Sequence, residues 1–470
     1  MSFIAIDIGT SFMKGAVLDL AQMQLQHIHR EPIPAGINGL EPLMHEIDPA
    51  ALVEAVRKLI TKLVRQAGQC QGLVMCSQMH GMVLMDDANH AVTNVIPWLD
   101  QRASTPCPAQ EGTVFDAMMT RLDQRDVTEL GNGLRAGLPV GTLYWYKLHE
   151  RFPANAHTAA SLPEFVLSQL CQGRAPLGME PTYAHGQGVF SMATRAWHQP
   201  VIKQLELDFL AWPVIRSLAE PVGMLQIEGR EFPCYPPVGD HQCALAGAFL
   251  RAGELSLNVS TGSQVSLVTP TFQPGVYETR PYFDDQFLNT FVKIPAGRAL
   301  DVLVNLLSEL ARLNGAAVDE PWPLIEAAAS AVADTDLQIN LAFFDSISGT
   351  EGSIHHIRED NFSVGHLFRA AFQNMAANYN LYAQRLSPDK QWRNLVFSGG
   401  LAQKLPLLRQ IILAQLPGDY RLCASTEDTL LGLLSLALFC SGKANSVSEA
   451  TGVVQRSVES RLAPGKPRAD

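Results

Sequence analysis

The chain of 470 residues is 47% hydrophobic and 17% charged, too apolar for a disordered polymer and long enough for two cores. Its 35 basic and 46 acidic residues leave a net charge of −11 with no basic block, which argues against a nucleic-acid partner but not against a nucleotide held by backbone N–H groups and a cation. Eight cysteines stand singly, without C-x-x-C pairs, and the opening MSFIAIDIGT has no basic run before its apolar stretch; the expectation is a cytoplasmic chain without zinc site, signal peptide or membrane span.

Phe3–Ile6 reads as a buried strand, followed by a Gly-Thr-Ser turn and strands at Gly15–Leu20 and Gln24–Arg30. Asp48 is placed to cap a helix reaching about Ala67, with Leu52, Val53, Val56, Leu59, Ile60 and Leu63 at helical spacing, and GLVMCSQ reads as a fourth strand. From about Arg121 to Pro237 the pattern is irregular, which predicts an insertion forming a cleft wall. After a helix near Cys243 the opening returns: LSLNVSTGSQVSLVTP repeats the strand, small-residue turn and strand of FIAIDIGTSFMKGAVLD, about 250 residues on. This predicts a duplicated α/β domain, divided into residues 1–242 and 243–470, each half with a phosphate-facing hairpin. Helices are expected at Arg298–Leu313, Val364–Leu386, Leu407–Leu416 and Thr429–Phe439, a strand at Asn394–Ser398, and a polar tail from Ser441 whose end is disordered.

In DIGTSFMKG, Thr10 and Ser11 can hold phosphate oxygens, Asp7 a magnesium ion through water, and Lys14 adds charge; an ordinary hairpin turn is the alternative. NVSTGSQ makes the same offer through Thr261 and Gly262. FSGGLAQKLPLLRQ sets Gly399 and Gly400 between a strand and a helix, where backbone can approach a flat ligand. GNGLRAG fails as a dinucleotide fingerprint, because its last glycine is one position late and no strand precedes it. SQMHG places Gln78, Met79 and His80 past a strand end, and PWLDQR joins Trp98 to Asp100, Gln101 and Arg102, a mixture suited to a polyol and also found in surface loops. PPVGDHQCALAGAFL puts Asp240 at a helix start, as cap or as proton acceptor; there the helix dipole would keep it ionised.

DIGTSFMKGAV, SQMHG with PWLDQR, VGDHQCALAG, LNVSTGSQV and FSGGLAQKLPLLRQ follow in this order between Phe3 and Phe439. Together they resemble the FGGY carbohydrate kinases of the actin- and Hsp70-like ATPase superfamily. LNVSTGSQVSL, FQPG, RPYF, GTLYWYKLHERFP and SVGHLFRAAFQNM are most similar to sedoheptulokinases, SQMHG to xylulokinases. The resemblance implies two ribonuclease-H-like domains around a cleft, with a sugar on the N-terminal one and ATP with Mg²⁺ mainly on the C-terminal one. It implies Asp240 as general base and, with Asp7, as a metal carboxylate. Gln78, Met79, His80, Trp98, Asp100 and Gln242 become sugar contacts. Thr10, Ser11, Lys14, Thr261 and Gly262 become phosphate contacts, and Gly399, Gly400 and Gln403 lie at the adenosine. The implied partners are a small-molecule sugar and ATP, without nucleic acid or membrane, and a homodimer is compatible with it. Thr142 stands where many members carry lysine, VKIPAGRAL lacks paired glycines and an asparagine, and His241 sits at a variable position that tunes specificity. An actin- or Hsp70-like ATPase, or a sugar-responsive binding protein, is the alternative outside the kinases.

Overall fold

The computed structural model of the protein describes residues 2–171, 178–316, 320–423 and 425–462. Strands β1 (Ser2–Ile8), β2 (Phe12–Asp19) and β3 (Gln24–Pro32) form an antiparallel meander. β1 is buried along its whole length, as a central strand covered on both faces must be. Its side chains alternate: Ile4 and Ile6 pack toward α1 (Pro49–Gln66), while Phe3 and Ala5 join a second core. Asp48 caps α1 by accepting from Ala51 N at 2.7 Å. β4 (Cys70–Ser77) then runs parallel to β1. With β5 (Gly223–Ile227), β6 (Arg230–Cys234) and β7 (Val238–Gly239), the sheet has the order β5-β6-β4-β1-β2-β3, and β7 also lies beside β4.

The second sheet consists of β8 (Glu254–Asn258), β9 (Gly262–Thr269), β10 (Glu278–Pro281), β11 (Phe287–Pro295), β12 (Asn394–Ser398) and β13 (Asp419–Leu422), in the order β10-β11-β9-β8-β12-β13. In each sheet the first strand has its hairpin partner antiparallel on one side and a later strand parallel on the other. The repeated arrangement is that of two ribonuclease-H-like α/β domains. Helices α3 (Gly297–Leu313), α4 (Val364–Leu386) and α5 (Pro406–Gln415) pack on the face of the second sheet that carries Leu255 and Leu257.

Between the sheets lie α2 (Asp240–Gly247) and α6 (Asp428–Cys440). One apolar core runs from Phe3, Ala5 and Leu18 of the first sheet through Cys243, Leu245, Leu433 and Leu434 to Val268, Leu288 and Val396 of the second. The two halves are thus joined by buried surface around a pair of crossing helices. No helix among the described residues is long and apolar enough to cross a membrane.

Two expectations need correction. The irregular stretch does not last to Pro237, because β5 and β6 return to the first sheet; each is short and half exposed, so its apolar pattern is too brief to read. The insertion ahead of them has its own core, in which Leu84 and Ile96 meet Leu143 and Trp145 of the helix Pro139–Leu148 and Val201 of the helix Gln199–Gln204. Thr142, at the position read as departing from the family, is buried in that first helix. The polar tail from Ser441 contains a further helix, α7 (Val447–Leu462), which buries Val447, Ala450 and Val454; the expected disorder falls on residues 463–470, outside the described residues.

Candidate active site

Three neighbouring parallel strands end at one edge of the first sheet, and each delivers a candidate group there. Asp7 lies next to the end of β1, Gln78 directly follows β4, and Asp240 directly follows β7; the register pairs Asp7 with Cys76 and Gly239 with Ser77. Carboxyl ends of parallel strands are where open α/β sheets place ligands, because the backbone stops and loops must begin. Gly9 N bonds Phe12 O at 3.1 Å, closing the tight turn that exposes Thr10 and Ser11. Trp98, 41% exposed, donates its indole N–H to Thr10 Oγ1 at 2.9 Å and so stands over that turn.

Asp240 is the first residue of α2, not its cap: Gly239 occupies the cap position, and Asp240 Oδ1 accepts from the adjacent His241 N, at 2.8 Å. Part of the residue is open to solvent while its carboxyl is enclosed by protein. Burial, then the charge of Asp7, push its pKa up to about 7. The helix-dipole argument for a permanently ionised Asp240 therefore loses to desolvation and like-charge repulsion. Asp7, 6% exposed, is raised mainly by burial and accepts from Thr429 Oγ1 on α6 at 2.7 Å. Asp428, which the sequence reading passed over, is also raised, to about 6, chiefly by burial. Lys14 does not stand free: its Nζ pairs with Glu427 at 2.9 Å, tying the first hairpin to the start of α6.

The second half repeats the construction. Asn258 ends β8 beside Ser398 of β12, and the turns after them converge. Gly399 has φ +87°, and a Cβ there would lie 2.5 Å from Val259 O, so only glycine fits. Beside it, Asn258 Oδ1 is buried without a partner. Thr261 and Gly262 are exposed, as is Gly400, and Gln403 lies a turn further on, its N 3.4 Å from Gly399 O. The VKIPAGRAL segment belongs here as well: Gly297 N bonds Ser260 O at 3.0 Å, and a Cβ on Gly297 would come within 3.1 Å of Thr261 Cα.

Not every expected sugar contact faces the cleft. Asp100 is 1% exposed and fully engaged, Oδ1 with Arg102 N and Nε and Oδ2 with Arg102 Nη2 and His45 N. Gln242 is fully buried and donates to Thr182 O and Pro281 O, at 3.3 and 3.2 Å, packing α2 against its neighbours. Gln78 turns back onto Gly9 O at 3.1 Å and shapes the first turn. Met79 and His80 remain at the site. His80, at φ +70°, accepts from Arg135 Nη2 at 2.7 Å and donates from Nδ1 to Gly186 O at 3.0 Å; burial, then Arg135, keep its ring neutral.

Two strings read otherwise in the sequence complete the wall. In RPYF, Arg280 is 4% exposed and reaches from β10 to His241. The discarded GNGLRAG lays Gly131 and Gly133 against β10: a Cβ on Gly131 would meet Thr279 O at 2.2 Å, and Arg135 pairs with Glu278 at 3.1 Å. Burial raises Glu278, and Arg280 with Arg135 more than reverse that, holding it well below the usual carboxylate range. Burial and Arg280 push His241 and His185 down to about 3. His241 has a side-chain hydrogen bond to Gln264, and His185 Nε2 is buried here without a hydrogen-bond partner.

Residues 2–232 match the FGGY family of carbohydrate kinases, N-terminal domain. Among curated relatives, the chain is 25% identical over 279 residues to the xylulose kinase of Klebsiella pneumoniae, covering 57% of this chain and 55% of that protein. It is 26% identical over 225 residues to that of Escherichia coli K12, covering 47% and 44%. The chain thus spans about half the length of the curated relatives it matches. The likeness of fold extends over nearly the whole chain. The xylulose kinase structure from Rhodospirillum rubrum aligns with a TM-score of 0.83 at 17% identity, over 98% of both chains. The gluconate kinase structure from Lactobacillus acidophilus aligns at 0.82 and 18%, again over 98% of both.

Proposed function

We propose that the protein is an ATP-dependent carbohydrate kinase that phosphorylates a primary hydroxyl of a ketose, with Asp240 accepting the hydroxyl proton. The observation that carries this reading is Asp240 itself, enclosed at the junction of the halves with its pKa near 7, where a carboxylate is basic enough to take a proton and still ionised in part. Phosphoryl transfer asks the protein mainly to position groups and balance charge. In this reading residues 1–242 hold the sugar through Met79, His80 and Trp98, and residues 243–470 hold the nucleotide through Thr261, Gly262, Gly399, Gly400 and Gln403. Thr10, Ser11 and Lys14 face its phosphates.

Asp7 and Asp240 repel one another and are each raised by burial, so their environment favours a neutralising cation. They would hold Mg²⁺ partly through water, and the ion would offset charge on the β- and γ-phosphates. No group of three His, Cys, Asp or Glu side chains able to hold a metal alone occurs among the described residues, so phosphates and water would supply the remaining ligands.

Sedoheptulose is the substrate we propose from the RPYF and LNVSTGSQVSL likeness; D-xylulose is the second reading, favoured by the names of the relatives. ADP release is measured with ATP and each of a panel of seven-, six- and five-carbon ketoses. The kinase reading expects release that depends on one of them. Steady hydrolysis indifferent to every ketose would instead support an ATPase of the same fold.

A further inference from the structure

Cys171 follows the helix Leu162–Leu170 and Cys234 ends β6, and both lie in the core between α1 and the first sheet, 6% and 0% exposed. Their sulfurs are hydrogen-bonded to one another. The Cys234 S–H donates, which holds the Cys171 thiol below its ordinary range in spite of burial and pushes Cys234 well up. Cys171 is thus the nucleophilic sulfur of the pair, and Cys234 keeps its proton. Beside Cys171 lies a small cavity with room for about one water-sized molecule, lined also by Glu164, Ser168, Val222 and Pro237. Glu164 is 2% exposed; its Oε2 accepts from Ser161 N at 3.2 Å, and among the described residues Oε1 has no hydrogen-bond partner. Burial pushes this carboxyl up to about 8, so near neutral pH it is mostly a neutral acid, with its proton on the unpaired Oε1. Filling a core with apolar groups would not require an unpaired acid beside a paired sulfur, and leaving one buried costs stability.

We infer that Cys171 is a site of oxidation by hydrogen peroxide, with Cys234 as the thiol that resolves it to a disulfide and Glu164 as the acid for the departing oxygen. The Cys171 sulfur attacks one peroxide oxygen; an S–O bond forms as the O–O bond breaks. The other oxygen leaves as hydroxide and takes the Glu164 proton to become water, and the proton of the Cys171 thiol restores the carboxyl. Cys171 is then a sulfenic acid. The Cys234 sulfur, already in hydrogen-bond contact, attacks it; an S–S bond forms, and the sulfenic hydroxyl leaves with the Cys234 proton as a second water. Two thiols give up two electrons and one peroxide accepts them. The size of the cavity selects hydrogen peroxide over bulky organic hydroperoxides.

The test treats folded wild-type protein with hydrogen peroxide near neutral pH, blocks the remaining thiols with iodoacetamide and maps the peptides by mass spectrometry. The Cys171–Cys234 disulfide should form first and be reversed by dithiothreitol. Oxidation of the half-buried Cys70 and Cys440 ahead of an untouched Cys171 overturns the inference, as does a disulfide from Cys171 to any other cysteine. Cys234→Ser, which keeps a hydrogen-bond donor for Cys171, should stop at a sulfenic acid on Cys171 that dimedone traps. Cys171→Ser should leave Cys234 reduced; a sulfenic acid on Cys234 would contradict the assigned order. Glu164→Gln, which can still accept from Ser161 N, should slow oxidation of Cys171 by about 10²-fold. Cumene hydroperoxide, too large for the cavity, should oxidise the wild-type pair far more slowly than hydrogen peroxide. An unchanged rate in Glu164→Gln, or equal rates with the two oxidants, overturns the cavity's part in the reaction. The wild-type peptide map decides the site even where a variant does not fold.

Discussion

Gly247 and Gly432 meet backbone to backbone where α2 crosses α6. A Cβ on Gly247 would lie 1.8 Å from Asp428 O, and one on Gly432 would lie 2.0 Å from Cys243 O. Each glycine faces the carbonyl one helical turn before the other, a reciprocal contact that joins the duplicated halves. Gly432→Ala should therefore destabilise the protein by at least the top of the ~1–3 kcal/mol range for overpacking, since backbone on both sides must move. Urea denaturation checks this against Gly68→Ala, whose Cβ would meet nothing within 4 Å and should be neutral.

That crossing shows which parts of the structure were legible in the sequence. The two hairpins, α1 with its Asp48 cap, β12 and α4 follow from local periodicity and capping. Local pattern cannot say what a polar group meets across the chain. Asp100 was read as a ligand group because it neighbours Trp98, yet its partner is Arg102, which Glu46 also holds. Arg280 and Arg135 went unnoticed as site residues because Glu278, which pairs with both, is remote from Arg135 in sequence. Asp240 was located by its helix start, but the sign of its pKa shift depends on enclosure and on Asp7, which only the folded chain supplies.

The Asp100 assignment has a direct test. Asp100→Ala removes the bidentate partner of a guanidinium that is 2% exposed, and breaking such a buried pair should cost about 3–5 kcal/mol. Thermal melts should show that loss, while KM for the sugar, measured on folded enzyme, stays within about twofold. A sugar contact would behave oppositely, with KM up roughly tenfold and little change in stability.

The pH dependence of activity follows from the raised Asp240. As a base it works ionised, so kcat/KM should rise with pH and level off above about 7. A profile flat from pH 5 to 8 would contradict this assignment.

Stability should move the other way. The folded pKa of Asp240, about 7, exceeds its ordinary value of 3.8. The folded state therefore holds the proton more tightly. This contribution is fully present below the unfolded value and is lost as pH rises through about 7. At pH 8 the enclosed charge opposes folding, so Asp240→Asn should melt at or above the wild-type temperature, with the gap closing toward pH 5. A helix cap would be indifferent to this pH change, because asparagine caps as well as aspartate.

The most direct measurement of the central claim is ketose-dependent ADP release by wild-type protein and by Asp240→Asn, with ATP affinity measured in parallel. The account predicts that the variant binds ATP like the wild type and loses about 10²–10⁴-fold in sugar-dependent turnover. An Asp240→Asn enzyme that phosphorylates the ketose at the wild-type rate would contradict it.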